Sequence, residues 1–505
     1  MRLSAGFLRG SAALAAGLAQ GYAFAPANSW LELTALCVLF YLFAQAKSLK
    51  EGFLLGFTFG LGWFCLSLSW TSISIHEFGN LPLWFAAFCV FALSAYLALY
   101  PAISGWVCAW FNKRSFSRAC SLLLTAPTSW ALTEWLRGWV LTGFPWNATA
   151  YAHVDGFLVK LAPLCGADGI NFFAAFFAGG LTLIWLERKS LRKLVLPFVC
   201  LFSLAAVCAG LSFKDWSQPG KTVPFRLVQG GLDQDLKFTT EGFLAAYRRY
   251  LSLASAPGLQ KETIIVLPET IFPIPISRLN SDVRKEFYGV TKNGASLLFG
   301  GFLFNRPEIR NAVFLVQAGK EQAHYSKRHL VPFGEVRPYG FRWFIEMLQI
   351  PMADLTAGGA SQKVFVADGI KLAPLLCYED LFPEEVRDWW KSGSAPNVLV
   401  NLSNLAWFGD STALPQHLNF SRMRALEFSR PVVRATNTGI TAYISADGQV
   451  RNALPPMRAA LLDVSVQTRT GEATMYAKYG SAPWLWLMLF GLAGTFVSAL
   501  RKNKC

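Results

Sequence analysis

Two patterns of hydrophobic and polar positions divide the chain. In the first, apolar residues run almost unbroken near 8–25, 29–46, 52–72, 83–111, 119–138, 157–186, 193–212 and 482–500. Each run is close to the ~20 residues a helix needs to cross the hydrocarbon of a bilayer, so the pattern predicts about eight membrane-spanning helices. In the second, between 213 and 481, short apolar runs rich in β-branched and aromatic residues fall at 223–229, 263–267, 296–300, 312–317, 372–376, 398–402, 432–435 and 441–445. Amphipathic stretches such as 241–255, 276–292 and 416–429 separate several of them. Short strands alternating with amphipathic helices predict an α/β sandwich with helices covering a sheet. The expected organisation is a membrane domain over 1–212 with seven helices, an α/β domain over 213–481, and a last membrane helix with its tail over 482–505.

Composition agrees with a chain that lives partly in lipid: 53% of its 505 residues are hydrophobic, only 15% are charged, and it holds 18 Trp and 42 Phe. The net charge of +15 could signal nucleic acid, but the basic residues sit in short clusters between apolar spans. That is the mark of membrane topology rather than of a phosphate-binding face, and no nucleic-acid partner is expected. The clusters are Arg2 and Arg9, Lys47 and Lys50, Lys113, Arg114 and Arg118, Arg188, Lys189, Arg192 and Lys193, and Arg501, Lys502 and Lys504. All fall on one side of an eight-span arrangement, whereas 73–82 and 139–156 contain no Lys or Arg and Arg137 stands at the edge of the second. By the positive-inside rule both termini lie in the cytoplasm and 213–481 lies outside, which in a bacterial inner membrane is the periplasm. Ala23-Phe24-Ala25 after the first span also reads as a signal-peptide cleavage site, and cleavage would leave the remaining topology unchanged.

Ten cysteines occur, nine of them in apolar spans or at their ends, without metal-ligand spacing such as C-x-x-C. Neither a metal nor any other cofactor is expected. The tenth, Cys377, is alone in the polar domain, at the end of an apolar run in Leu376-Cys377-Tyr378-Glu379-Asp380. A lone thiol there is either a buried inert side chain or a nucleophile. Two other segments place reactive groups after apolar strands, where α/β folds build their sites. Glu269, in Leu267-Pro268-Glu269-Thr270, is either a loop or capping carboxylate or a general base. Lys327, in Tyr325-Ser326-Lys327-Arg328-His329, is either a solvated cation or a holder of negative charge. Together Cys, Glu and Lys supply a nucleophile, a base and an oxyanion partner for acyl transfer.

The order Glu269, Lys327, Cys377, with these flanks, resembles the nitrilase superfamily. The runs Ser403-Asn404-Leu405-Ala406-Trp407-Phe408-Gly409-Asp410, Gln416-His417, Arg422-Met423-Arg424-Ala425-Leu426-Glu427 and Arg434-Ala435-Thr436-Asn437-Thr438-Gly439 narrow the resemblance. So do Glu134-Trp135-Leu136-Arg137-Gly138 and Thr142-Gly143-Phe144-Pro145-Trp146 in the membrane half. Together they look like the apolipoprotein N-acyltransferase family. Three positions depart from its pattern: Leu405 stands where Asp is usual, Gly231 where Asn is usual, and Phe238 where Trp is usual.

That resemblance implies an α-helical membrane domain joined to an α-β-β-α sandwich. It implies an acyl transfer from a membrane phospholipid, expected to be phosphatidylethanolamine, to the α-amine of a diacylglyceryl-cysteine at an apolipoprotein N-terminus. Cys377 would carry the acyl chain as a thioester, Glu269 would act as base and Lys327 would hold the oxyanion. Glu335 would position Lys327, Tyr378 and Glu379 would line the pocket, and Phe238, Trp407, Glu134, Arg137 and Trp146 would contact substrate. Eight spans exceed what anchoring requires, so a lateral opening for both lipids is expected. Glu134 and Arg137, three apart on one apolar helix, either pair with each other or meet a phospholipid headgroup. His76, Glu77, Trp139 and Trp146 also read as membrane-interface residues. A self-contained catalytic set requires no second subunit, so a monomer is expected. The competing readings are a membrane-tethered amide hydrolase using the same three residues, and a transporter regulated by its soluble domain, which would leave those residues unexplained.

Overall fold

A computed structural model of the chain describes residues 5–114, 117–234, 239–337, 340, 343 and 354–502. Phe238 lies outside the described residues, as do Arg2, Lys504 and Cys505. The chain forms two compact units, one of Met1–Ser72, Leu83–Asp215 and Tyr479–Cys505, the other of Ile73–Pro82 and Trp216–Lys478.

In the first unit every one of the eight apolar runs is helical. The main helices are α1 (Ala5–Tyr22), α2 (Ser29–Ala44), α3 (Leu49–Ser67), α4 (Leu83–Asn112), α5 (Ala126–Arg137), α6 (Ala162–Glu187) and α7 (Leu191–Leu211), followed at the end of the chain by Ala482–Lys502. Among the described residues, Leu49–Ser67, Leu83–Asn112, Phe157–Glu187 and Leu191–Leu211 are long and apolar enough to cross a membrane; Ser29–Ala44 and Ala482–Val497 are apolar but shorter. The remaining two runs fall short of that measure for physical reasons. α1 carries Arg9, and α5 is only 12 residues long and holds Glu134 and Arg137. The α3–α4 contact is built on Gly52, Gly56 and Gly60, which share a face of α3. A methyl group on Gly56 would sit 2.2 Å from the Pro101 carbonyl oxygen, and one on Gly52 would sit 2.4 Å from that of Gly105. Small residues at every fourth position let the two backbones touch, the packing device of helices that gain nothing from excluding water.

The second unit holds twelve strands: β1 (Gln218–Gln229), β2 (Ile264–Val266), β3 (Ser296–Asn305), β4 (Glu308–Gln317), β5 (Lys320–Ser326), β6 (Phe365–Ala367), β7 (Ile370–Leu376), β8 (Val398–Ser403), β9 (Val432–Thr436), β10 (Ala442–Ile444), β11 (Val450–Ala453) and β12 (Ala460–Thr470). They make two six-stranded mixed sheets of order β12-β1-β2-β3-β4-β5 and β11-β10-β9-β8-β7-β6. In the first sheet the two-residue period of a strand sorts the side chains. Phe225, Leu227, Ile264, Val266, Leu298, Val313 and Leu315 join Leu372, Val400 and Val432 of the second sheet in one core. Their neighbours Val228, Ile265, Leu267, Leu297, Phe299, Phe314 and Val316 face the other way, into a separate core with Tyr250 and Phe287 of the covering helices α8 (Thr240–Ala254) and α9 (Ser281–Tyr288). Helices α10 (Pro383–Lys391) and α11 (Ala413–Phe428) add Val386, Trp389, Ala425 and Phe428 to the core that holds the second sheet. The architecture is the expected α-β-β-α sandwich; Lys327 and Cys377 directly follow β5 and β7, and Glu269 comes three residues after β2.

Candidate active site

Glu269 follows β2 in a turn that fits beneath β3 only because residue 300 is glycine: a Cβ there would lie 2.5 Å from the Glu269 Cα. The carboxylate is 6% exposed. Its Oε1 accepts hydrogen bonds from Asn311 Nδ2 at 2.7 Å and Lys327 Nζ at 3.1 Å, and its Oε2 accepts from the Asn404 backbone N–H at 3.0 Å.

Lys327 follows β5 directly, where its N–H donates to the Asn311 carbonyl at 2.8 Å. Its side chain is 1% exposed, with Nζ 2.9 Å from the Glu335 carboxylate as well as bonded to Glu269. Glu335 is fixed in turn, accepting from the Val331 N–H at 2.9 Å and from Asn311 Nδ2 at 2.8 Å. Burial alone would push the Lys327 pKa down, but Glu269 and Glu335 outweigh it and hold the ammonium charged well above its ordinary range. Glu335 therefore meets Lys327 directly.

Asn311 escaped sequence reasoning. It sits in β4, is 1% exposed, and uses its amide to bridge the two carboxylates. The available signal was a single amide ahead of the apolar run Ala312-Val313-Phe314-Leu315-Val316, which also reads as an ordinary strand end.

Cys377 closes β7 and opens a 3₁₀ turn, Cys377–Leu381, with φ +48°. Left-handed backbone is uncommon for a residue with a side chain, and at a strand-to-helix turn it lifts the side chain out of the ladder. The thiol packs with Leu405 and Leu414. Burial pushes its pKa up, the Glu269 carboxylate pushes it further, and Lys327 opposes them without prevailing. Cys377 rests as a neutral thiol.

The two residues after Cys377 support the turn. Tyr378 is buried, its ring 5.1 Å from Phe382 and 5.6 Å from His329. Glu379 is 1% exposed and its carboxylate turns into the frame: it accepts from the Leu376 N–H at 2.7 Å, the Arg328 N–H at 2.6 Å and the Tyr325 hydroxyl at 2.8 Å. It thereby ties the start of the Cys377 turn to the segment carrying Lys327. Burial pushes its pKa up to about 7 despite those donors.

Two departures from the family pattern have local reasons. Leu405 is fully buried against Cys377. Gly231 has φ +57°, and a Cβ there would lie 2.5 Å from the Ala459 nitrogen, so this backbone has no room for a side chain. Trp407, on the turn Ala406–Phe408, accepts a hydrogen bond at its carbonyl from Ser74 Oγ at 2.6 Å and meets the Phe78 ring edge-on at 5.2 Å. The segment 73–82, which reads from the sequence as a connecting loop between membrane helices, is thus packed onto the α/β unit.

In the first unit Glu134 and Arg137 pair with each other, with Arg137 Nε to Glu134 Oε1 at 3.1 Å and Nη2 to Oε2 at 3.0 Å, both side chains buried. Arg137 Nη1 also donates to the carbonyls of Phe144 and Trp146 at 2.6 and 2.9 Å, and Glu134 accepts from the Thr149 N–H at 3.2 Å. The pair staples the 144–149 segment to α5. Trp146 is buried, its ring stacked 6.2 Å from Phe144 and tilted against Trp70 at 4.7 Å.

A buried Glu-Lys-Cys constellation between two mixed sheets, joined to a unit of apolar helices, defines a carbon–nitrogen-hydrolase-type domain on a membrane protein. Comparisons with known proteins agree. Residues 241–476 match the carbon-nitrogen hydrolase family, and residues 16–180 match the apolipoprotein N-acyltransferase N-terminal domain. An apolipoprotein N-acyltransferase of Ralstonia nicotianae is 40% identical over 489 residues, 95% of this chain and 91% of that protein. One from Bordetella bronchiseptica is 39% identical over 94% of each chain. Among solved structures, a CN-hydrolase superfamily protein from Xanthomonas campestris aligns at 18% identity and TM-score 0.38, covering 49% of this chain and 91% of that one. The chain belongs to the apolipoprotein N-acyltransferase family. It is an acyltransferase of lipoprotein maturation, with lipid and lipoprotein as its substrates.

Proposed function

We propose that the transfer proceeds through a thioester on Cys377, with Glu269 as general base and Lys327 as oxyanion partner. The observation that carries this reading is the Lys327 ammonium clasped by two buried carboxylates beside a neutral thiol on a strained turn. Burial and the Glu269 carboxylate outweigh Lys327 at the thiol. Removing the thiol proton is therefore unfavourable at rest and is coupled to attack on substrate.

In the first half-reaction Sγ attacks the ester carbonyl of a phospholipid, Glu269 takes the thiol proton, and the oxyanion develops against Lys327. Collapse breaks the C–O bond, Glu269 returns the proton to the departing lysophospholipid oxygen, and the acyl chain stays on sulfur. In the second, the α-amine of the diacylglyceryl-cysteine attacks the thioester carbonyl and loses a proton to Glu269. The C–S bond breaks with its electron pair on sulfur, which is then reprotonated. One site can thus serve two bulky lipids in turn, as ping-pong chemistry allows.

The donor we propose is phosphatidylethanolamine and the working form a monomer. The setting is the bacterial inner membrane, with both termini cytoplasmic and the α/β unit in the periplasm. The one-sided placement of Lys and Arg supports that orientation. A diacyl lipoprotein is held in the bilayer by roughly 0.8 kcal/mol per buried CH₂, so the enzyme must work where the lipid lies.

Intact-protein mass spectrometry of the detergent-purified enzyme after incubation with phosphatidylethanolamine tests the chemistry. The expected result is a gain of one acyl group, released by hydroxylamine or by a diacylglyceryl-cysteine peptide. Free fatty acid without an adduct would instead mean water is the acceptor and the protein a hydrolase. For the orientation, Lys320→Cys in the exposed β4–β5 hairpin should react with a membrane-impermeant maleimide in intact spheroplasts, above the wild-type background. Labelling only after permeabilisation would invert the topology.

A further inference from the structure

His417 lies on α11 with Nε2 3.8 Å from Cys377 Sγ. Both residues are buried. A Cys–His contact usually suggests that the histidine takes the thiol proton. Here the other ring nitrogen decides otherwise. His417 Nδ1 is 2.9 Å from Arg434 Nη2, and a guanidinium can only donate. Nδ1 must therefore accept, so the ring proton sits on Nε2 and points at Cys377; an imidazolium would set two N–H donors against each other at Nδ1.

Arg434 is itself immobilised. Its Nη1 donates to the His417 carbonyl at 3.0 Å and to Ser421 Oγ at 2.8 Å, its Nε donates to the Ile440 carbonyl at 3.0 Å, and the Ser421 hydroxyl donates to Asp380 Oδ2. Burial and the Arg434 charge also push the His417 pKa well below its ordinary value. The chain Asp380, Ser421, Arg434, His417 thus ends on sulfur with one hydrogen to give and no vacancy for another.

We propose that His417 is a hydrogen-bond donor to the Cys377 sulfur, locked in that role by Arg434, and that it steadies the thiolate without ever acting as its base. Taking Cys377 as the nucleophile, the Nε2–H would meet the sulfur when the proton passes to Glu269. It would meet it again when the C–S bond breaks and the electron pair returns to sulfur. Glu269, Glu335, Lys327 and Arg434 are the charges that face the thiol.

Two near-isosteric substitutions separate donor from base. His417→Asn keeps an oxygen near Nδ1 for Arg434 and removes only the Nε2–H, while His417→Gln places an amide N–H near Nε2 and cannot serve as a base. In the full-length purified enzyme, the pH dependence of Cys377 alkylation by iodoacetamide and the rates of acylation and deacylation are measured for both. His417→Asn should raise the thiol pKa by about one unit and slow both half-reactions about 10- to 100-fold, the range for a hydrogen bond to a charged group. His417→Gln should stay near wild type. Unchanged alkylation and rates in His417→Asn would overturn the proposal. So would a His417→Gln enzyme as slow as His417→Asn, which would make the histidine a base. Absence of any acyl-enzyme in the wild type would instead refute Cys377 as the nucleophile, with the alkylation profiles still judging His417.

Discussion

Cys377→Ala, purified in detergent and given phosphatidylethanolamine with a diacylglyceryl peptide, should transfer no acyl chain above background, and Cys377→Ser should lose at least about a thousandfold in turnover. The α/β unit has no other cysteine to substitute for Cys377, and the proposed route makes every turnover pass through its sulfur. Serine keeps the shape, but its alkoxide is far costlier to form than a thiolate, and burial makes the charged form costlier still. Neither change should unfold the protein. The thiol makes few polar contacts, Glu379 holds the turn through backbone donors on either side, and alanine or serine meets the same φ of +48° that cysteine already bears. A normal melting profile with transfer abolished is the expected pairing. Near-normal turnover by folded Cys377→Ala would end the thioester mechanism.

Much of this architecture was written in the spacing of apolar residues, and the parts that were not share a physical cause. The eight strands expected from short apolar runs are β1 to β4 and β7 to β10. The four missed, β5, β6, β11 and β12, are the four edge strands of the two sheets. An edge strand has one side unpaired and is often solvated, so its sequence loses the continuous apolar run: β5 reads Lys-Glu-Gln-Ala-His-Tyr-Ser, and β11 is mostly exposed. Glu269 and Cys377 were legible because each follows a buried strand, whose fully apolar sequence marks where the chain must emerge. Lys327 follows one of the missed edge strands, and only the ordered set of motifs singled it out. Asn311 was illegible, because what defines it is a pair of partners 42 and 24 residues away in sequence. What the segment 73–82 packs against was illegible for a similar reason. Its polarity fits a connector between membrane helices, whereas its contacts with Trp407 are more than 300 residues distant.

Lys327→Met should slow transfer about 100- to 1000-fold and also weaken the fold, and the two losses can be separated. Removing the ammonium leaves Glu269 and Glu335 buried and facing each other through one amide, and stripping one partner from a buried ion pair costs about 3–5 kcal/mol. The wild-type pair should contribute evenly across the physiological pH range. The folded Lys327 pKa is raised, so its stabilising effect is complete below the unfolded value near 10.5 and fades only as pH climbs through the higher folded value. A second substitution, Glu335→Gln, removes one of the two stranded charges while keeping an amide in the same place. Lys327→Met/Glu335→Gln should therefore recover much of the lost thermal stability over Lys327→Met alone. Transfer should not return with it, because no cation remains to meet the oxyanion of either tetrahedral intermediate, and losing such a group typically costs about 10²–10³ in rate. The comparison asks whether Lys327 is there for chemistry or for charge balance. If the double variant regains activity in step with its stability, Lys327 is a structural counter-ion and the oxyanion partner must be sought among the backbone N–H groups of the Cys377 turn.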